Sequence, residues 1–189
     1  IHQCYMFQES LKQVSNEYVT DEMKKQYLAE SNFLIAYYHF LSMRSYGPTM
    51  IIRSVIDLET PISGFPERSS IDEVVAFINE KLDEAMSEGG LPTTWSGKDY
   101  GRATRLAALA LKSRVYLYAA SPLYNGNTEM YADFRSPLDG RQLIAQEKSQ
   151  AKWEISATQT KYAIDEVEKA KFHLYHDADA GEPSDAKPG

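Results

Sequence analysis

The residues of this chain whose types and spacing come nearest to chemistry are His173-x-x-His176, followed by Asp177 and Asp179. Imidazoles three apart on a helix share an edge, and with two carboxylates they offer the nitrogen and oxygen ligands that divalent metals take. Their place argues against that use. They border an acidic tail with glycine and proline, where a chain end frays and nothing orients the rings from behind. No metal site is expected. His39 falls in an aromatic run and reads as a core histidine with a hydrogen-bond partner. Arg114 falls in the most apolar stretch, where its guanidinium is expected to be paired with a carboxylate or backbone carbonyls. The sequence holds no Gly-x-Ser-x-Gly, no His-Glu-x-x-His, no phosphate-cradling glycine loop and no Cys-x-x-Cys. Neither catalysis nor a cofactor is expected.

Composition narrows the partners. The formal net charge of −7 comes without a basic stripe, which argues against nucleic acid. The single Cys4 rules out an internal disulfide and a thiolate-rich metal cage. No run of about eighteen apolar residues is present, so no helix of this chain is expected to span a bilayer. The opening Ile1-His-Gln-Cys-Tyr-Met-Phe-Gln8 resembles the inside of a helix rather than a signal peptide. It predicts a fragment whose export or lipidation signal lies elsewhere. Thirteen tyrosines against seven phenylalanines and two tryptophans tilt the aromatics toward amphipathic ones. Such rings suit surfaces that meet sugars or proteins, and equally suit helix packing.

The elements that would carry these residues are helical. A weak helix is predicted over 2–16. A longer one starts at a Thr20 or Asp21 cap, repeats apolar residues from Met23 through Leu41 and stops at Tyr46-Gly47-Pro48. Residues 47–68 read as a long connection with one extended segment, a length uncommon for an idle loop. Ser70-Ile-Asp-Glu73 is a capping box for a helix with an apolar stripe of Ile71, Val74, Val75, Ile78, Leu82, Ala85 and Met86. Its opposite face, with Asp72, Glu73, Asn79, Glu80, Asp83, Glu84 and Glu88, reads as solvated, and Gly89-Gly90 close it. Residues 91–100 form a polar loop. From Ala103 to Ala120 the chain is apolar nearly all round, so this helix is expected in the middle of the domain, covered on most sides until Pro122 ends it. Tyr124-Asn125 reads as fixing the turn that follows. Asp139-Gly140 predicts a small two-stranded ribbon within 130–144, and a last helix is expected from about 149 to 172.

Two spacings echo a helical repeat. Ala29-x3-Phe33-x2-Ala36 matches the second helix of a tetratricopeptide unit, and Trp153 with Ala157 the first. No thirty-four-residue period runs through the chain. The predicted fold is therefore all-α, with stacked tetratricopeptide-like hairpins, long loops and one short ribbon. It forms a single domain over 1–175 and a polar tail over 176–189.

At this level the sequence resembles the SusD/RagB family. Ala29-Glu30-x-x-Phe33-Leu34-x-Ala36-Tyr37-Tyr38-x-Phe40, with Arg44 and Tyr46-Gly47, looks like its signature helix. Gly101-Arg-Ala-Thr104 through Ala107-Ala-Leu-Ala-Leu-Lys112, Arg114-Val-Tyr-Leu-Tyr118 and Ala119-Ala-Ser-Pro-Leu-Tyr-Asn125 looks like its second. Lys152-Trp153 with Leu174-Tyr175 resembles the next helix pair. Two positions depart from the pattern: Ile35 stands where the family has Arg, and Pro48-Thr49-Met50 follows Gly47 in place of an apolar segment.

The resemblance implies a binding protein, lipid-anchored on the outer face of the outer membrane of Bacteroidota. It implies capture of glycans, or in some cases peptides, and a SusC-like TonB-dependent transporter as partner. The lipid anchor and the second half of the protein would lie outside this chain. Sugar binding needs an exposed flat aromatic that stacks on the apolar face of a pyranose, beside groups that hydrogen-bond hydroxyls. Trp95 and Tyr100, with Lys98, Asp99 and Ser96 beside them, are the loop candidates. Packing of Trp95 onto the helices it connects is an equal alternative. The 47–68 loop, with Arg53 and Phe65, comes second. A tetratricopeptide-type scaffold that binds another protein and no glycan is the main competing reading. An enzyme domain whose catalytic residues lie elsewhere is the remotest.

Overall fold

The computed structural model describes residues 1–57 and 59–173. Among them are six α-helices and two short 3-10 turns, and no strand. The helices are α1 (His2–Gln13), α2 (Asp21–Tyr46), α3 (Ile71–Ala85), α4 (Arg105–Ala120), α5 (Thr128–Tyr131), a single turn, and α6 (Gln150–Lys169). The long ones form a stack in chain order: α1 lies on α2, α2 on α3, α3 on α4 and α4 on α6.

Local chemistry explains the boundaries. Thr20 caps α2, its hydroxyl accepting the Met23 N–H at 3.2 Å. Gly47 closes the same helix with φ +70°, donating its N–H to Met43 O at 2.8 Å, and Pro48 blocks another turn. The capping box forms on α3: Ser70 Oγ accepts the Glu73 N–H while the Glu73 carboxylate accepts the Ser70 N–H at 2.7 Å. Thr104 does the same work for α4, accepting the Ala107 N–H at 3.1 Å.

The main core joins Phe40 and Met43 of α2, Val74, Ile78 and Leu82 of α3, and Ala108, Val115 and Ala119 of α4. Burying a side chain of the Leu or Phe class stabilises by about 1.5–3 kcal/mol, and the stack rests on this apolar seam. A second, smaller cluster of Tyr5, Ile35 and Phe77 receives Ile51, Ile52 and Val55, and so fastens the long connection to the helices. The base of that connection is closed by the Ser69 N–H on Thr49 O at 2.9 Å and by Arg68 on Pro48 O at 2.8 Å.

Four expectations need correction. The helix expected to be enclosed is covered by α3, α6 and α2, but its Ala107, Ala110, Arg114 and Leu117 flank is exposed. Arg114 is exposed with it and has no ion-pair partner among the described residues, so the predicted pairing does not form. The ribbon near 130–144 shrinks to one bridging pair, Arg135 with Gln142. The chain leaves that pairing at once, because Leu143 O accepts the Ile71 N–H and Ala145 O the Gly126 N–H. Asn79, assigned to the solvated face of α3, is buried, with its Nδ2 on Val75 O at 2.8 Å and its Oδ1 unpartnered. The polar tail, with His176, Asp177 and Asp179, lies outside the described residues, and His173 is exposed.

Candidate functional site

The loop between α3 and α4 holds the aromatic group that the sequence singled out. Its geometry starts from Leu91, whose buried side chain and N–H bond to Ala85 O anchor the entry. Pro92 O accepts the Arg105 N–H at 2.8 Å and anchors the exit. Between these anchors Gly97–Asp99 makes one 3-10 turn. Trp95 is half-buried, its indole N–H donating to Ala103 O at 2.7 Å. The ring is thus fastened to the framework while part of it stays accessible. Tyr100 is 86% exposed.

Trp95, Tyr100, Thr93, Thr94, Thr104 and Phe172 line one cleft of about 390 Å³. Lys98 and Asp99 do not line it. Lys98 stands exposed on the turn, and Asp99 faces Arg102 at 2.9 Å. Phe172, three residues past the end of α6, is a contributor that loop composition alone could not reveal, because it lies more than seventy positions away in sequence.

Arg102 is the second residue missed from sequence. Its guanidinium lies 4.1 Å from the centre of the Trp95 ring and 5.6 Å from that of Tyr27. Nε donates to Glu30 Oε1 at 2.8 Å and Nη1 to Asp99 Oδ1 at 2.9 Å, while Nη2 lies 2.7 Å from the same Glu30 oxygen as an ion pair. Desolvation works against the charge, but the bonds to Glu30 and Asp99 outweigh it and raise the arginine's pKa further. A guanidinium on an aromatic face adds a cation–π attraction of about 0.5–2 kcal/mol. One face of Trp95 is thus occupied and the ring held at a fixed tilt.

The 47–68 loop offers a second hollow of about 510 Å³, lined by Ile51, Arg53, Pro66, Ser69, Phe77 and Glu80 among others. Arg53 lies 4.6 Å over the Phe77 ring and 3.5 Å from Glu80. Phe65, though 42% exposed, does not line this hollow. Between α4 and α6 a wider apolar groove of about 700 Å³ is lined by Ala110, Leu117, Ile164, Val167 and Phe172, with Arg114 at its side. Among the described residues no three His, Cys, Asp or Glu side chains gather as metal ligands. No helix there is long and apolar enough to cross a membrane.

The fold is a stacked, tetratricopeptide-like helical framework with an aromatic, hydroxyl-lined cleft in one loop. Residues 2–117 match the SusD-like family described as starch-binding and associating with the outer membrane, and the chain belongs to that family. Members are binding proteins, not enzymes. Among solved structures, BT4246 is 35% identical with a TM-score of 0.83, over 93% of this chain and 30% of that one. A SusD-like protein from Bacteroides fragilis is 26% identical with a TM-score of 0.56, over 77% of this chain and 30% of its own. The surface glycan-binding protein A from Bacteroides fluxus is 28% identical with a TM-score of 0.52, over 73% of this chain and 29% of its own. This chain thus spans about 30% of the length of the structures it resembles. No match was found among curated proteins.

Proposed function

We propose that the whole protein captures an oligosaccharide at the cell surface and hands it to a SusC-like TonB-dependent transporter. Trp95 and Tyr100 would stack on the sugar, with Lys98 and Asp99 at the rim. Capture is non-covalent. The observation that carries the reading is the family match over residues 2–117, joined to a loop cleft in which a fixed tryptophan and an exposed tyrosine face hydroxyl side chains. Aromatic faces supply apolar contact and the threonines supply hydrogen bonds, the mixture that a pyranose ring requires. A peptide ligand would use the same aromatics.

The apolar groove between α4 and α6 favours a second reading, a tetratricopeptide-type scaffold that binds another protein and no glycan. Affinity electrophoresis of the full-length protein against a polysaccharide panel separates the two. Retardation on at least one polysaccharide, weakened in Trp95→Ala, supports glycan capture at this cleft. Absence of retardation throughout the panel favours the scaffold, and unchanged retardation of the variant moves the site away from Trp95.

A further inference from the structure

Resting on the glycan reading above, we infer that the Trp95–Tyr100 cleft selects uncharged sugar units, because Glu30 and Asp99 mask the one charged group that the described residues place in its wall. That group is Arg102, and among the described residues no other charged side chain lines the cleft. A bare guanidinium beside an aromatic platform would be a ready receptor for a uronate or sulfate, since its planar fork fits such oxyanions bidentately. Here two carboxylates already flank the guanidinium. Nε and Nη2 converge on Glu30 Oε1, and Nη1 is taken by Asp99.

Two carboxylates around one guanidinium leave the cluster with an excess negative charge. Its members are only partly exposed, the side chains at 27% for Arg102 and 22% for Glu30, so water screens them incompletely. An acidic sugar laid on Trp95 would bring its own carboxylate against that excess. A neutral hexose meets the ring faces of Trp95 and Phe172 and the Thr93 and Thr94 hydroxyls instead. Lys98 does not alter the balance, because it is exposed on the turn and outside the lining. Arg102 is therefore a positioning residue: it sets the tilt of Trp95 and is withheld from the ligand.

The test is a binding titration of the full-length protein at about 0.15 M salt, where the Debye length is about 8 Å. The uncharged set is soluble starch, dextran and galactomannan; the acidic set is polygalacturonate, alginate and chondroitin sulfate. The wild type should bind at least one uncharged polymer, and every acidic one at least tenfold more weakly. Unmasking Arg102 with the pair Glu30→Gln and Asp99→Asn should raise acidic-polymer affinity at least tenfold. The same charge change made at exposed positions, Glu9→Gln with Glu17→Gln, should leave it unchanged. Asp99→Asn alone, expected to give at least a threefold gain, serves if thermal melting shows that the double variant is unfolded. Wild-type preference for an acidic polymer, or no gain on unmasking, overturns charge masking and leaves glycan capture standing. Failure to bind either set overturns glycan capture, and the inference falls with it.

Discussion

The imidazole of His39 accepts the Ile52 N–H on its Nε2 at 3.1 Å, tying α2 to the long connection. Its Nδ1–H donates to Ile35 O at 2.7 Å, so both nitrogens are used and the ring is neutral. The ring is fully buried, 4.7 Å from Phe77 in an edge-on contact. From the other side Tyr5 donates its hydroxyl to Ile52 O at 2.8 Å, and burial pushes that phenol up to about 12. Ile52 is therefore held by both of its backbone polar groups.

Burial depresses the His39 pKa below 6.5, so the folded protein binds fewer protons at this site than the unfolded chain. Its contribution to stability is complete above about 6.5 and is lost as the pH falls from there through the folded value. Urea titrations at pH 7.5, 6 and 5 should give a falling midpoint, with a shallower fall in His39→Gln. An equal fall in the variant would place the acid sensitivity elsewhere.

Asn125 should be among the costliest polar residues to lose. Its Nδ2 donates to Ala120 O at 3.2 Å and to Ser149 O at 2.9 Å, and its Oδ1 accepts the Ser149 N–H at 2.8 Å. Asn125→Ala leaves buried groups without partners and should cost about 2–3 kcal/mol. Chemical denaturation measures it; a loss below about 0.5 kcal/mol, the range of ordinary surface changes, would refute the clamp.

The capping box predicts a smaller effect. Ser70→Ala should destabilise by about 1 kcal/mol, through the lost N-cap bond to Glu73. The Glu73 carboxyl is held below its usual 4.5 by the Ser70 N–H first and the Ser70 hydroxyl second. Its contribution is present above 4.5 and disappears as acid carries the pH down through the folded value. Melting curves at pH 7 and pH 3 should therefore show a smaller Ser70→Ala penalty in acid.

Two glycines with positive φ make a controlled pair. A Cβ on Gly126, at φ +82°, would sit 2.6 Å from the Lys148 backbone N, whereas a Cβ on Gly140, at φ +72°, meets nothing within 4 Å. Gly140→Ala should cost about 1 kcal/mol for backbone strain alone, and Gly126→Ala clearly more, because neighbouring backbone must also move. Differential scanning calorimetry of both variants tests the order; equal costs would mean that Lys148 gives way freely.

What the sequence disclosed was local. Thr20, Ser70, Gly47 and Pro48 act on groups within four residues of themselves, so their spacing identifies the helix ends without reference to tertiary structure. Tyr124-Asn125 was legible as a turn-fixing pair through Asn125 on Ala120 O, but not in its longer reach, Asn125 to Ser149 and the Tyr124 hydroxyl to Met43 O. The role of Arg102 was not, since it depends on Glu30, 72 positions away, meeting Asp99 and Trp95 in space. Asn79 was misread because its position falls among charged residues on the helical wheel while α3 is buried beyond its apolar stripe. The bare flank of α4 escaped for a related reason. Alanines and a leucine look alike in sequence whether a neighbour covers them or not.

The Asn125 clamp has a further consequence for what the chain between Gly126 and Lys148 can become. With Gly126 on Ala145 and Asn125 on Ser149, that excursion leaves and rejoins the stack at one point. Its exposed tip can vary while α4 and α6 keep their register, but Leu143 and Ile144 are buried, Ile144 within the main core, and Leu143 O holds the Ile71 N–H at the start of α3, so change there is confined to the residues that spare these contacts.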